Sequence, residues 1–456
     1  MKKFLFTLLL AAAVAGGFTF VLAEENQGEE KKFVIHGEIR QRADFNDNFT
    51  DASDDISDSF LIFPYRARIG AEGHFGKNVV GYAEFQTFGA WGDTSPVRGG
   101  LGVINPNIDQ NYQNTTTNGE FFNNVQLYEG WIALNEIGGS KFSLKVGRQE
   151  LVKGSEMLLG DLDFYNGVSH DGLVGCFDYD SIDLDVWWTR PLQHTDTIVF
   201  DPGPPIISAD TLPSHASINF YGAWADFKKI PKNIGVSAYL MYFEVGQTGT
   251  FPDGSAFYTI GGRAHKNAEA GKNGFAWSAE IAFQTGEYTV GPSLGDTNDL
   301  SGTGFEGMFG YNLHTGDADH LFRVFVAQGS GDDTSTLDEV ETFTPMFQDF
   351  HGRYGLADLY TLNDLTAMSL GWSMQKKDHG FGVDLWSHQQ TEDVLVAGVE
   401  ESDLDTELDA WWKFQYNPNA QIMAGLAYVM PGDLVKAALG TDDTAIRLVG
   451  NLRLRF

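Results

Sequence analysis

The sequence predicts an all-β protein: an antiparallel transmembrane β-barrel of about 18 strands, with short turns at one end and long loops at the other. Three features carry that expectation. The chain after residue 32 alternates apolar and polar side chains at period two. Short and long connections follow one another in turn. The last segment is an amphipathic stretch that ends on Phe456.

The N-terminal residues set the compartment. Lys2 and Lys3 precede an apolar run from Phe4 to Val14, and Val21-Leu22-Ala23 stands just before Glu24-Glu25. That order reads as a secretory signal peptide over 1–23, followed by a short periplasmic segment over 24–32 and a barrel over 33–456. Past residue 23 no apolar stretch reaches the roughly 18 residues that a membrane helix requires. Lys and Arg number 30 against 62 Asp and Glu, a net charge of -32, which argues against a nucleic-acid binder that must displace counterions from phosphates. The 42% hydrophobic content is too high for a disordered acidic chain. The single cysteine, Cys176, excludes a disulfide framework and a cysteine-rich zinc site.

Strand side chains point alternately to opposite faces, so period two gives each segment one greasy and one charged face. In Phe33–Phe45 the odd positions carry Phe33, Ile35, Ile39 and Phe45, and the even ones His36, Glu38, Arg40 and Arg42. Leu61, Phe63, Ile69 and Phe75 alternate with Arg66, Arg68, Glu72 and His74 in the next segment. The pattern returns at Ile182/Leu184/Val186/Trp188 against Asp183/Asp185, and at Leu408/Trp412/Phe414 against Asp405/Glu407/Asp409. The expected strands are 33–45, 59–75, 78–92, 122–136, 141–153, 167–177, 181–192, 216–228, 233–247, 255–266, 274–288, 303–314, 320–332, 365–377, 379–392, 404–417, 420–431 and 445–456. Alternation is weakest in 216–228 and 255–266, and Arg148 falls on the apolar parity of its strand unless a bulge intervenes.

Short turns are expected at 76–77, 137–140, 178–180, 229–232, 315–319, 378 and 418–419. Longer acidic or Gly/Pro-rich loops lie at 46–58, 93–121, 154–166, 193–215, 289–302, 333–364, 393–403 and 432–444. This asymmetry is that of outer-membrane barrels, and an even strand count with short turns inside puts both termini in the periplasm. A lipid-spanning sheet has to close, because an open edge would leave backbone groups unpaired in hydrocarbon.

Closure pairs the last strand with the first and assigns the lumen charges. Arg447, Arg453 and Arg455 come to lie beside Arg40 and Arg42, which lie beside Arg66 and Arg68: seven arginines on one pore-lining wall. Asp183, Asp185, Glu280, Glu306, Asp384, Asp405, Glu407 and Asp409 form pore-lining acidic walls elsewhere. Opposed walls across a narrow pore create a transverse field, focused by low-dielectric surroundings, that orients solutes and tunes ion selectivity. An 18-stranded barrel leaves room for an aqueous channel, which the loops 93–121 and 333–364 would narrow by folding inward.

Several motifs resemble the alginate-export porin family. They are Gly147-Arg148-Gln149, then Gly154, Leu159-Gly160 and Asp171-Gly172, the stretch Phe343–Asp358 with His351-Gly352 and Tyr354-Gly355, and the acidic Asp405–Asp409 strand before Pro431-Gly432-Asp433. The resemblance spans nearly the whole mature chain. It implies an 18-stranded, monomeric outer-membrane barrel acting as a passive diffusion channel. One departure bears on the solute. Export of a polyuronate calls for a lumen that is basic overall, whereas here one wall is basic and the chain is strongly acidic. The turn 417–420 is also too short to plug a pore. The expectation is therefore a porin of the bacterial outer membrane for hydrophilic, anion-tolerant diffusion. Export of an anionic polysaccharide such as alginate is the alternative, and an outer-membrane enzyme or adhesin the second.

Chemistry offers little. Ser169 and His170-Asp171 are neighbours in sequence, but adjacent strand residues face opposite ways, and no Gly-x-Ser-x-Gly elbow occurs. The acidic stretch Asp51–Asp58 lacks the glycine and terminal glutamate of a calcium loop, so no metal and no cofactor is expected. The expected partners are membrane lipid and lipopolysaccharide, the diffusing solute, and assembly machinery reading the strand that ends at Phe456, with no nucleic acid.

Overall fold

A computed structural model describes residues 31–48, 59–91, 125–193, 218–231, 233–245, 255–289, 297–333, 335–336, 339–396, 398–440 and 442–456. The expected signal peptide over 1–23, residues 24–30, the expected loop 93–121 and nearly all of the expected loop 193–215 lie outside the described residues.

Eighteen strands form the wall: β1 Lys31–Asp47, β2 Pro64–Phe75, β3 Val79–Ala90, β4 Gln126–Leu134, β5 Phe142–Gln149, β6 Val168–Asp178, β7 Ile182–Gln193, β8 Ile218–Phe227, β9 Gly235–Val245, β10 Ala256–Lys266, β11 Gly274–Thr289, β12 Thr303–Thr315, β13 Ala318–Gly329, β14 Leu365–Lys376, β15 His379–Val396, β16 Val399–Asn417, β17 Ala420–Pro431 and β18 Ala445–Arg455. Each is antiparallel to the next, and β18 pairs back onto β1 from Glu38↔Arg455 to Asp47↔Ile446, so the sheet closes. Two short segments, Phe60–Ile62 and Thr297–Leu300, extend the pairing against β1 and β11. The one described α-helix, α1 (Asp433–Leu439), follows β17 and ends at Gly440 with φ 75, a left-handed cap that glycine adopts without strain.

The eighteen expected strands are all present, with ends shifted by a few residues. The largest shift is at the hairpin β15–β16. The stretch expected as a loop over 393–403 is mostly strand: β15 runs to Val396 and β16 begins at Val399. Register slips after His388 and Gln389 let the hairpin continue outward.

The outer face carries Ile35, Ile69, Ile132, Ile260, Phe283, Phe309, Leu370 and Leu385, all exposed, as lipid contact demands. The inner face is less uniform than alternation implies. On β7–β10 it is apolar as well: Trp187, Phe220, Trp224, Tyr239, Phe243 and Phe257 are buried inside the barrel. That explains the weak alternation of 216–228 and 255–266, where both faces are greasy for different reasons. The irregularity near Arg148 also has a cause. A bulge in β4 places Tyr128 and Glu129 consecutively against β3, and β5 stops pairing at Gly130↔Arg148. Arg148 keeps the outward parity of Val146, donates to the Leu127 carbonyl at 3.0 Å, and forms a two-point bridge to Asp171 at 2.8 and 2.9 Å.

The lipid face generates a direct test. Leu370, 62% exposed on β14, sits beside inward-facing, buried Ser369. Leu370→Arg should cost about 2–4 kcal/mol of folding stability in lipid vesicles, the cost of a charge near the bilayer midplane. Ser369→Ala should cost far less in the same denaturant titration.

Candidate functional site

The seven arginines share one wall. Register sets Arg40 directly opposite both Arg453 on β18 and Arg66 on β2, with Glu38 between Arg455 and Arg68. Arg40, Arg42, Arg66 and Arg447 are almost fully buried, which is not the solvated lining that alternation suggests. The cover is the connection 150–167, which descends into the barrel. Arg40 donates to the carbonyls of Asp163 and Tyr165, and Arg42 donates to Phe164 O at 2.6 Å and packs its guanidinium 3.8 Å over the Phe164 ring. Arg66 reaches Asp163 O at 2.9 Å and its carboxylate at 2.5 Å, with Glu38 at 2.6 Å on the other side. Arg68, Arg453 and Arg455 approach the same carboxylate at 3.4, 3.3 and 3.4 Å. Burial alone would raise the Asp163 carboxyl, but Arg66, Arg40 and Arg68 hold it well below the usual carboxylate range. The chain thus lays one of its own anions on its basic wall.

The acidic walls hold the second inward segment, 341–364, and part of the first. Glu280 and Glu306 face each other across β11 and β12. Ser155 N donates to Glu280 at 3.1 Å, and Ser155 Oγ, Arg353 and Tyr354 all donate to Glu306 at 3.0, 3.0 and 2.6 Å. Lys153 pairs with Asp185. On β16 the same-face trio Asp405, Glu407 and Asp409 receives Tyr360 OH, Ala357 N (2.8 Å) and Leu356 N (3.0 Å) respectively. Asp384 pairs with Arg323 at 2.5 Å, and Asp183 pairs with Lys228 near the short-turn end, away from either loop.

The two segments also bind one another. Gly160 N donates to Phe347 O at 2.7 Å, and Phe347 N to Leu158 O at 2.9 Å. Met157, Leu158, Leu159, Phe343 and Phe347 pack on the apolar inner face of β7–β10. At the junction, fully buried Asp358 accepts from Arg447 (2.6 Å), Tyr165 OH (2.6 Å), Gly352 N (2.7 Å) and the His351 ring (2.7 Å). His351 stacks on Phe164 with centroids 3.3 Å apart. Burial works to raise the Asp358 carboxyl, yet His351 and Arg447 keep it well below its usual range. Gly352, with φ 61, turns the chain so that its N–H faces that carboxylate.

Below the inward loops, toward the short-turn end, lies a cavity of about 290 Å3 lined by Glu38, Arg68, Glu84, Glu129, Glu150 and Arg455 among others. Glu129 and Glu150 face it because of the β4 bulge and the end of β5. Tyr128 OH donates to Glu150 at 2.5 Å while its ring lies 3.6 Å from the Arg68 guanidinium. Burial pushes the Glu150 carboxyl up to about 7, with Glu129 adding to the rise and Tyr128 and Arg68 opposing it.

Arg148 of the Gly147-Arg148-Gln149 motif faces outward and Gln149 inward, and Gly147 is required by contact. A Cβ there would stand 2.2 Å from Gly130 O, at a φ of 130. This motif builds the wall and does not enter the cavity. Sequence reasoning missed Ser155, Asp163, Tyr165, Arg353 and Asp358. They lie in irregular segments where no periodicity marks a facing side, and only for Arg353 and Asp358 was there a signal, the unusual length of 333–364.

Comparison with known proteins agrees with this architecture. Residues 104–447 match the protein family described as alginate export. Among solved structures, the chain is similar to Pseudomonas aeruginosa OccK11 (OpdR), with a TM-score of 0.58, 12% identity, and coverage of 93% of this chain and 96% of that one. Acinetobacter baumannii OccAB3 gives 0.58 at 10% identity over 92% and 99% of the two chains. Pseudomonas aeruginosa OpdK, solved with vanillate, gives 0.57 at 9% identity over the same shares. At these identities the likeness is one of fold. No curated protein sequence matches the chain.

The junction can be tested by removing its carboxylate. Asp358→Ala leaves Arg447 buried without its counter-ion, a loss of roughly 3–5 kcal/mol for a broken buried pair. The amides of Gly352 and Ala357 should then exchange with deuterium far faster than in the parent, while amides within β10–β12 keep their protection.

Proposed function

The chain belongs to the alginate-export family, and on that footing we propose that it is an outer-membrane channel for passive diffusion of small hydrophilic solutes, anionic ones included. The observation that carries this reading is the two-signed cavity beneath the loops, where Arg68 and Arg455 oppose Glu84, Glu129 and Glu150. A solute carboxylate arriving there meets guanidinium donors in fork geometry, while the facing carboxylates keep it from binding too tightly to leave. The inward loops set the size of what passes, and the accessible arginines, Arg453 and Arg455, set its charge. This assigns the seven arginines and the acidic residues two roles: most hold the loops, and those at the short-turn end meet the solute. No catalytic step is part of the reading.

Export of an anionic polysaccharide is the second reading, favoured by the family match alone. A polymer would need a continuous basic track, and here Asp163 already engages Arg66, Arg68, Arg453 and Arg455. Assembly through the strand ending at Phe456 is part of the same proposal, supported by closure of that strand on β1.

The test is a planar-bilayer recording under a salt gradient. The wild type should form steady pores whose reversal potential moves toward cation preference in Arg453→Glu/Arg455→Glu, and long polyuronates should not block it at concentrations where monomers pass. Block by polymer and exclusion of monomer would favour the exporter. Acidity should matter in a defined direction. Glu150 holds its proton up to about pH 7, so anion preference is greatest below that value and falls as pH rises through it. Glu150→Gln should flatten that dependence.

A further inference from the structure

We propose that His388, Asp405 and Glu407 form a binding site for one divalent transition-metal ion, of the zinc type, that staples the second inward loop to the barrel wall. The proposal is independent of which solute the channel carries. Cross-strand register puts His388 on β15 directly opposite Asp405 on β16, with Glu407 two residues on and on the same inward face. One ligand atom from each of the three lies within 4.8 Å of the others. All three are essentially out of solvent: 0%, 2% and 0% exposed.

The cluster is unusual in what it lacks. Among the described residues no lysine or arginine pairs with Asp405, Glu407 or Asp409, and the ion partner of Asp405 is His388 itself, at 2.6 Å. Glu407 Oε1 accepts from Ala357 N, while its Oε2 lies beside the Asp409 carboxylate, whose Oδ1 has no donor either, and His388 Nε2 has no partner. A buried carboxylate oxygen and a buried imidazole nitrogen without partners each carry a desolvation cost that a cation would offset. The donor set also selects the ion. One imidazole nitrogen with carboxylate oxygens suits zinc and its neighbours, whereas calcium and magnesium take oxygen ligands alone. The other acidic group, Glu156, Asp161 and Asp349, is only half-buried and leaves no such atom.

The surroundings give the ion a structural role. Tyr360 OH donates to Asp405 and Ala357 N to Glu407, so both carboxylates already grip the loop. Tyr360 and Trp386 cover the imidazole, with ring centroids 4.8 and 5.8 Å away. A metal at this place would be sealed from water and would tie β15, β16 and residues 357–360 together.

The experiment uses untagged full-length barrel, refolded in detergent with Co2+ as a spectroscopic stand-in for Zn2+, then desalted. Retained cobalt is counted by mass spectrometry and its ligand field read from the visible spectrum. The expected result is about one cobalt per barrel with an intense band of low-coordinate type, displaced by Zn2+, and lost in both His388→Gln and Glu407→Gln. Asp349→Asn should retain the full complement. Heat-dependent gel mobility verifies that each variant is folded, and Glu407→Gln preserves side-chain shape if the histidine variant does not fold. The proposal is overturned if folded wild-type barrel retains no cobalt, or if both variants retain as much as the parent. It is equally overturned if the metal-treated barrel shows a protonated-carboxyl infrared band that Glu407→Gln removes, since Glu407 would then share a proton with Asp409 in place of a metal.

Discussion

Asp358 is the point on which the interior depends. A carboxylate taken fully out of water costs several kcal/mol unless its lone pairs are met by good donors. Here four donors from four directions meet it: Arg447 on β18, Tyr165 from the first inward segment, and His351 with the Gly352 amide from its own segment. The wall, loop 150–167 and loop 341–364 therefore share one ion. Asp163 does the same on the neighbouring arginines. An 18-strand barrel encloses more volume than its wall side chains can fill, and these two aspartates, with the aromatic packing of Phe343 and Phe347 on β7–β10, fix what fills it.

This arrangement gives the lumen charges a division of labour. Buried pairs are poor sources of net stability but hold a unique geometry, because any other placement of the loop leaves charges unpaired. The arginines high on the wall and the β16 carboxylates accordingly specify where the loops sit. On the proposed reading, the field acts on a solute only lower down, where Arg453 and Arg455 stay accessible. Size selection and charge selection would then arise from one set of residue types at different depths.

Much of the frame was legible. Period-two alternation placed all eighteen strands, and closure of β18 on β1 assembled the arginine wall from residues more than 400 positions apart, as in Glu38↔Arg455. Alternation faded on β8 and β10 because it measures contrast between faces, and Phe220, Trp224 and Phe257 remove the contrast by packing against loops. The depth of those loops was not legible. Asp163 and Asp358 sit in stretches without regular backbone, so no rule of spacing could say that they face Arg66 and Arg447. The expected picture of solvated walls opposed across open water missed them for that reason. Likewise, Gly147-Arg148-Gln149 stands out in sequence but serves close strand approach and an outward ion pair with Asp171.

On the proposed reading, the charged walls set pore size by holding the two loops inside. Polymer exclusion tests it most directly: pore conductance is recorded in the presence of uncharged polyethylene glycols of increasing size, for the wild type and for Asp163→Asn/Asp358→Asn. The account predicts that the double variant, still a folded barrel, admits distinctly larger polymers than the wild type. An unchanged cutoff in a folded double variant would contradict it, and would mean that the loops keep their place without the aspartates.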